Sequence, residues 1–188
     1  LSDFHFRGWS PVLDQARAVL LNHDYDLLAL TGDFSSIGRK WRHGANMCRR
    51  FLDGIAPRLG TFGVLGNHDR FRIADQPGIN IHWLHNENVK IESGGCDWTL
   101  AGVDQCEGSF GSVTDALAGA PADRPTIMLA HYPSTAFDLK PGDIDLMLSG
   151  HTHGGQIRLP HFECIFTNDR IKSEHARGLN EIGGIQVH

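Results

Sequence analysis

Short apolar runs recur along this chain, and most are closed by glycine or by a polar side chain able to bind a metal. Residues 26–31 carry Leu27, Leu28, Ala29 and Leu30 and lead into Gly32-Asp33. Residues 61–65 lead into Gly66-Asn67-His68-Asp69, residues 126–130 into His131-Tyr132-Pro133, and residues 144–148 into Ser149-Gly150-His151-Thr152-His153. Runs of this length between turn residues predict buried strands. Two intervening stretches have a helical period instead. Ser10-Pro11 supplies an N-cap and a first-turn proline, and Val12, Leu13, Ala16, Val19 and Leu20 then form one stripe. Residues 45–55 set Met47, Cys48, Phe51, Leu52 and Ile55 on another. Farther on, residues 79–84 and 88–91 predict short extended pieces, residues 98–103 a strand and residues 112–118 a short helix.

Helices between the early strands require parallel crossovers, which bring the strand ends to one edge of a sheet. Open α/β sheets keep their ligand crevice at that edge. Asp3 with His5, Asp33, Asn67 with His68, His131, and His151 with His153 are therefore expected together. The opening Leu1-Ser2-Asp3 reads as the last residues of a strand, and residues 185–188 read as the inside of another. A fragment is expected, lacking an upstream strand, with any leader or anchor before it, and lacking closing strands.

Composition narrows the picture only in part. A chain of 188 residues predicts a single catalytic domain over residues 1–188. The formal charge of −5 offers no general basic field for phosphate backbones, so no nucleic-acid partner is expected. No apolar run reaches the roughly 20 residues of a membrane span, which leaves membrane association to a missing N-terminal segment. Cys48, Cys96, Cys106 and Cys164 are far apart, with neither a zinc-knuckle nor a redox spacing. Histidine is the outlier, with 12 in the chain.

Asp3, Asp33 and Asn67 offer oxygen, and His5, His131, His151 and His153 offer imidazole, with no thiolate among them. That is too many ligands for one tetrahedral zinc. It suits two divalent ions roughly 3.5 to 4 Å apart, and mixed oxygen and imidazole ligation fits Mn, Fe, Zn or Co better than Mg or Ca.

Taken together, Asp3-x-His5, Gly32-Asp33, Gly66-Asn67-His68-Asp69, His131 and Gly150-His151-x-His153 resemble the motif series of the calcineurin-like metallophosphoesterases, in order and in spacing, over residues 3–153. The following Gly154-Gly155-Gln156-Ile157-Arg158-Leu159-Pro160 resembles the bacterial YaeI- and YkuE-type phosphodiesterase subgroup. This resemblance implies a layered α/β/β/α sandwich of two mixed sheets flanked by helices, truncated at both ends. It also implies that Asp3, His5 and His153 hold one metal, that Asn67, His131 and His151 hold the other, and that Asp33 bridges them. A metal-bridging hydroxide would then attack phosphorus in line, as the resemblance has it. His68 takes the position of the family's catalytic histidine, which contacts the phosphate and protonates the leaving oxygen. Asp69 is expected to orient and charge-stabilise that imidazole.

Arg7, Arg39 and Arg70 follow the motif strands and are candidates for substrate contact. The run Arg39-Lys40-Trp41-Arg42-His43 reads first as a solvated loop, and second as a hold for another phosphate, a base or a lipid head group. Phe4, Phe6 and Phe34 read as packing, and His23, His43, His82, His85, His161, His175 and His188 as surface or satisfied histidines.

The leading expectation is a phosphodiesterase or pyrophosphatase acting on a small or lipid-linked phosphate ester in the bacterial cytoplasm or at the cytoplasmic face of the membrane. A UDP-2,3-diacylglucosamine pyrophosphatase is the alternative within the class, although such enzymes carry arginine at the His68 position. A nuclease would need binding segments that a short acidic chain does not display. A non-catalytic scaffold would have eroded ligands, and none is eroded here. The sequence assigns no oligomeric state.

Overall fold

Strand β1, Leu27–Leu30, divides its side chains between two cores, as the period of a strand requires. Leu28 and Leu30 join a cluster with Ala45, Met47, Cys48, Phe51 and Leu52 of helix α2, Trp41–Leu52. Leu27 and Ala29 face the other way, onto Phe62, Val64, Leu100 and Leu129. The computed structural model describes residues 1–36, 41–106, 111–155, 157–158 and 164–188.

Strands β1, β2 (Gly60–Gly63) and β3 (His82–Trp83) form a parallel sheet in that order. The opening residues run alongside the end of β1. Thr31 N–H donates to Leu1 O, Asp3 N–H to Gly32 O, His5 N–H to Asp33 O and Phe6 N–H to Phe34 O. This ladder sets Asp3 and His5 beside Asp33.

The second sheet contains β4 (Glu87–Ser93), β5 (Cys96–Val103), β6 (Thr126–Ala130), β7 (Leu146–Leu148), β10 (Asn180–Ile182) and β11 (Ile185–Val187), in the order β10-β11-β7-β6-β5-β4. It is parallel from β5 through β6 and β7 to β11, with an antiparallel hairpin at each edge. A two-stranded ribbon of β8 (Ile157–Arg158) and β9 (Cys164–Phe166) follows β7 in the chain.

Three clusters fill the spaces between layers. The first lies between the small sheet and helices α1 (Pro11–Asn22) and α2. Another, with Phe62, Val64, Leu84, Leu100 and Leu129, lies between the two sheets. The third packs Ala101, Val103, Met128, Ala130 and Met147 under Ala116 of helix α3 (Val113–Ala116) and Ala136 of the 3-10 turn Pro133–Asp138. The result is the expected α/β/β/α sandwich.

Several local expectations shift. Helix α2 spans Trp41–Leu52 rather than residues 45–55, and Gly44 in it lies close under the loop after β1: a Cβ there would lie 2.8 Å from Ser35 Cβ. In α1 the buried stripe is narrower than the apolar pattern. Leu13, Ala16 and Leu20 pack inward, while Val12 is 69% and Val19 55% exposed. The pieces at 88–91 and 98–103 are the middles of one hairpin turning at Gly94-Gly95, both at positive φ (61° and 80°). A two-residue loop with positive φ at both positions matches the twist of the strands it joins. Gly183-Gly184 repeats the device between β10 and β11.

Candidate active site

The side chains singled out by the sequence gather where the carboxyl ends of the two sheets meet. Asp3, His5, Asp33, Asn67 and His68 come from the small sheet and its flanking ladder; His131, His151 and His153 come from the ends of β6 and β7. Glycines permit the close approach. A Cβ on Gly66 would lie 2.3 Å from Asp33 Oδ1, and one on Gly150 would lie 1.9 Å from Ser2 Oγ and 2.7 Å from Asp3 Oδ2.

The backbone is strained here. Among the described residues, seven non-glycine residues have positive φ, and six of them lie at this site: Asp3 (57°), His5 (40°), Asp33 (57°), His151 (68°), His153 (50°) and Asn168 (58°). Such conformations cost about 1–3 kcal/mol each and persist only where surrounding contacts enforce them. Those contacts are present: the Asp3 carboxylate accepts from His151 N–H at 3.0 Å, and Asp33 Oδ1 accepts from His68 N–H at 2.9 Å.

Asp33 is the hub. Its carboxylate is 1% exposed, and Oδ2 lies 3.3 Å from His131 Nε2, 3.4 Å from His5 Nε2 and 4.0 Å from His68 Nε2. His5 Nε2 is 3.2 Å from His153 Nε2, His153 Nε2 is 3.5 Å from Asp3 Oδ1, and His131 Nε2 is 3.0 Å from Asn67 Oδ1. Among the described residues three groups emerge, each with ligand atoms within 4.8 Å of one another: Asp3, His5 and His153; His5, Asp33 and His68; Asp3, Asp33 and His131.

Second contacts orient two of the rings. His131 Nδ1–H donates to Thr31 O at 2.7 Å, leaving Nε2 to face Asp33 and Asn67. His151 Nε2–H donates to Asn168 O at 2.8 Å, leaving Nδ1 with the lone pair. A carbonyl that fixes a histidine tautomer is the usual second contact of a metal ligand.

Charge follows the same logic. Burial pushes the Asp33 carboxyl up, but the hydrogen bond and charge of His131, the His68 amide and His5 outweigh it and hold the group below the usual carboxylate range. Burial alone would lower His131, yet the Asp33 carboxylate beside it moves the imidazole above its ordinary value. His5 and His151 are both lowered, chiefly by burial. These donors fit divalent cations. The spacing agrees as well: these nitrogen and oxygen atoms lie 3.0–3.3 Å apart, and ligands about 2.1 Å from a common ion are spaced by roughly 3.0–3.4 Å.

A cavity of about 240 Å³ opens over this cluster, and Arg7, Ser36, His68 and Asn168 line it with the ligand side chains. The family model described as calcineurin-like phosphoesterase matches residues 1–155. The chain belongs to this family. Its members are hydrolases of phosphoester bonds that use divalent metals.

Among relatives of this calcineurin-like chain, the uncharacterized metallophosphoesterase YkoQ of Bacillus subtilis is 29% identical over 96% of the chain, which covers 69% of that protein. The phosphodiesterase YaeI of Escherichia coli is 27% identical over the full chain, which covers 71% of it. A transmembrane protein with metallophosphoesterase domain from Bos taurus is 41% identical, but over 56% of the chain and only 29% of the bovine protein. The chain thus spans well under half of that relative and about seven tenths of the bacterial ones. The likeness to YaeI- and YkuE-type bacterial members read after His153 agrees with these matches. In fold, the NAD nucleotidase (NadN) of Haemophilus influenzae superposes with a TM-score of 0.51 at 14% identity, over 76% of this chain and 35% of that one.

Not every calcineurin-like motif residue takes the expected part. Asp69 is fully buried and turned away from the cavity. Its carboxylate accepts from Phe34 N–H, Ser35 N–H, Ser35 Oγ–H and Gly66 N–H at 2.9–3.2 Å. It therefore ties the loops after β1 and β2 together, and the expectation that it orients the His68 ring gives way to this structural part. Among the described residues, the carboxylate paired with that ring is Asp33, at 4.0 Å. Phe4 stacks on Phe6 and Phe34 and meets Phe51 edge-on, so the motif aromatics are packing, as expected. Arg39 lies outside the described residues, and Arg70 lines a neighbouring cavity. Asn168 is a site residue the motif reading missed. Its signal was the familiar one, an apolar pair, Ile165-Phe166, closed by Thr167-Asn168-Asp169.

Proposed function

We propose that this chain hydrolyses phosphodiester or pyrophosphate bonds with the help of two divalent ions. In this reading Asp3, His5 and His153 hold one ion, Asn67, His131 and His151 hold the other, and Asp33 serves both. The supporting observation is the convergence of ligand-type atoms on Asp33 Oδ2, with His131 Nε2 and His5 Nε2 within 3.4 Å. When bound, such ions neutralise phosphoryl oxygens and make a water molecule acidic enough to attack at neutral pH.

The chain's own groups then divide the remaining work. Arg7 lines the cavity over the cluster, and its guanidinium pairs with a phosphoryl oxygen. Water adds to phosphorus in line with the departing oxygen, and the bond from phosphorus to that oxygen breaks. His68 Nε2, 4.0 Å from Asp33 Oδ2, delivers a proton to the departing oxygen, and the proton that the attacking water gives up leaves to solvent, from which His68 is reloaded. His5, lowered chiefly by burial, remains neutral and available as a ligand at pH 7. The phosphodiesterase name of YaeI favours a diester over a monoester.

Hydrolysis of bis(p-nitrophenyl) phosphate by chelator-stripped protein, with Mn, Zn, Co, Fe(II) or Mg returned singly, tests the proposal. Turnover that needs the added ion and collapses in His68→Ala supports it. A folded, metal-loaded protein inert toward this ester and toward the monoester p-nitrophenyl phosphate overturns it.

A further inference from the structure

Beside the active-site cavity runs an open groove of about 430 Å³, lined by Tyr132, Ser134, Phe166, Asn168, Asp169 and Arg170. Two segments build it. One follows β6 and carries Tyr132, whose N–H donates to Gln105 Oε1 at 2.7 Å. The other starts at the last residue of β9, Phe166, and Asp169 Oδ2 ties it to the first by accepting from Ser134 N–H at 3.3 Å.

The groove and the catalytic cavity meet at Asn168, which lines both. They also meet across His151. The Tyr132 ring lies 4.3 Å from the His151 ring, and His151 Nε2–H donates to Asn168 O at 2.8 Å. Two lining residues of the groove therefore touch one side chain of the metal cluster.

The groove's surface selects its occupant. Phe166 is 60% exposed and Tyr132 half-buried, and aromatic rings at a wet edge offer flat apolar faces on which planar rings stack. The other four lining residues are polar. A saturated chain laid here would turn hydrocarbon toward their hydrogen-bonding groups. An aromatic ring lying on Phe166 would instead present its electropositive edge to their oxygens.

Position decides which arm of a diester the groove takes. His68 lies beside His5, with ring centres 4.9 Å apart, whereas the groove lies beside His151. In the hydrolytic reading His68 protonates the departing oxygen, so the arm beside His151 is the one that stays on phosphorus. We propose that the groove of Tyr132, Phe166 and Asn168 seats a planar ring on the retained arm of the substrate. The inference rests on the hydrolytic reading above. It names the substrate class as phosphodiesters whose retained alcohol carries an aryl ring or a nucleobase.

Three esters with one leaving group test it: benzyl, cyclohexylmethyl and methyl p-nitrophenyl phosphate, given to metal-loaded wild type and to Phe166→Ala. Phe166 is the residue to change, because it is exposed, whereas Tyr132 touches His151. Wild type is expected to prefer the benzyl ester to each of the others by about tenfold in kcat/KM, mostly through KM, the size of one ring stacked on an aromatic side chain. In Phe166→Ala both ratios should fall toward one, and Phe166→Tyr should keep them. No preference in wild type, or a preference that survives Phe166→Ala, overturns the proposal. A cyclohexylmethyl ester hydrolysed as well as the benzyl ester overturns it too, since the groove would then take any apolar chain, a lipid's included.

Titration calorimetry with the products does not depend on turnover, so it still decides the groove should no ester be hydrolysed and the hydrolytic reading fail. Benzyl phosphate bound more tightly than cyclohexylmethyl phosphate by wild type, and no more tightly by Phe166→Ala, supports a seat for a planar ring. Equal affinities in wild type, a difference unchanged in the variant, or no heat from either compound overturn it. Within a supporting result, thymidine 5′-phosphate bound more tightly than benzyl phosphate identifies a nucleobase, and the reverse order identifies an aryl alcohol.

Discussion

The Nε2 atoms of His5 and His153, 148 positions apart in the chain, lie 3.2 Å from each other, with their rings stacked at 5.0 Å. In the proposed ligand set both Nε2 atoms turn their lone pairs toward one cation. Removing one ring should therefore empty one position and leave the other. In His153→Ala, metal content measured by plasma mass spectrometry after reconstitution should fall by about one ion per chain, whereas Asp33→Ala should lose both. Equal metal content in His153→Ala and wild type would remove His153 from the ligand set.

Gly66 offers a test that changes no ligand. Its missing Cβ leaves room for Asp33, whose Oδ1 and N would lie 2.3 and 2.6 Å from an added methyl. Real Cβ atoms do not approach so closely, so Gly66→Ala must displace the hub carboxylate. Metal affinity should drop by at least about tenfold, the equivalent of 1.4 kcal/mol, with unchanged far-ultraviolet circular dichroism. Retained affinity, read by competition with a chromophoric chelator, would mean that Asp33 is not held where the cluster needs it.

Asp69 and its neighbour His68 should separate stability from turnover. Asp69→Ala strands the amides of Phe34, Ser35 and Gly66 at a buried position, while the Ser35 hydroxyl keeps its bond to His68 O. Losing a buried acceptor costs about 1–3 kcal/mol for a single stranded donor, so at least about 2 kcal/mol is expected here. His68→Ala, partly exposed at the cavity, should stay within about 0.5 kcal/mol of wild type. Urea denaturation of the chelator-stripped proteins measures both, and the opposite ranking would return Asp69 to a part at the imidazole.

These cases show what the pattern of residues could and could not carry. Strand ends and ligand types were legible because a short apolar run closed by Asp, Asn or His encodes burial and chemistry together, as in residues 126–130 before His131. Asp69 was misread because a carboxylate next to a catalytic imidazole in sequence can point either way, and three backbone amides from two loops decided its direction. Asn168 escaped because its part is carried by a backbone carbonyl, which any residue possesses. The exposure of Val12 and Val19 was also hidden, since periodicity gives a stripe and only packing gives its width.

His85 supplies a prediction in pH. Its Nδ1 pairs with the Asp104 carboxylate, which is 1% exposed and whose Oδ1 accepts from Leu65 N–H at 2.9 Å, joining the end of β5 to the chain after β2. The hydrogen bond to Asp104, more than the opposing burial, raises the His85 imidazole above its ordinary value. A raised value means that the folded chain holds a proton that the unfolded chain releases at about pH 6.5. The pair's contribution is thus fully present below that pH and is lost as pH rises through the folded-state value. Thermal midpoints of wild type and His85→Gln, both chelator-stripped, should differ most near about pH 6 and converge as pH rises through the folded-state value. The ring is 40% exposed, so solvent screening keeps the difference small. A gap independent of pH would mean that His85 contributes by packing against Phe71, whose ring lies 5.7 Å away, rather than by charge.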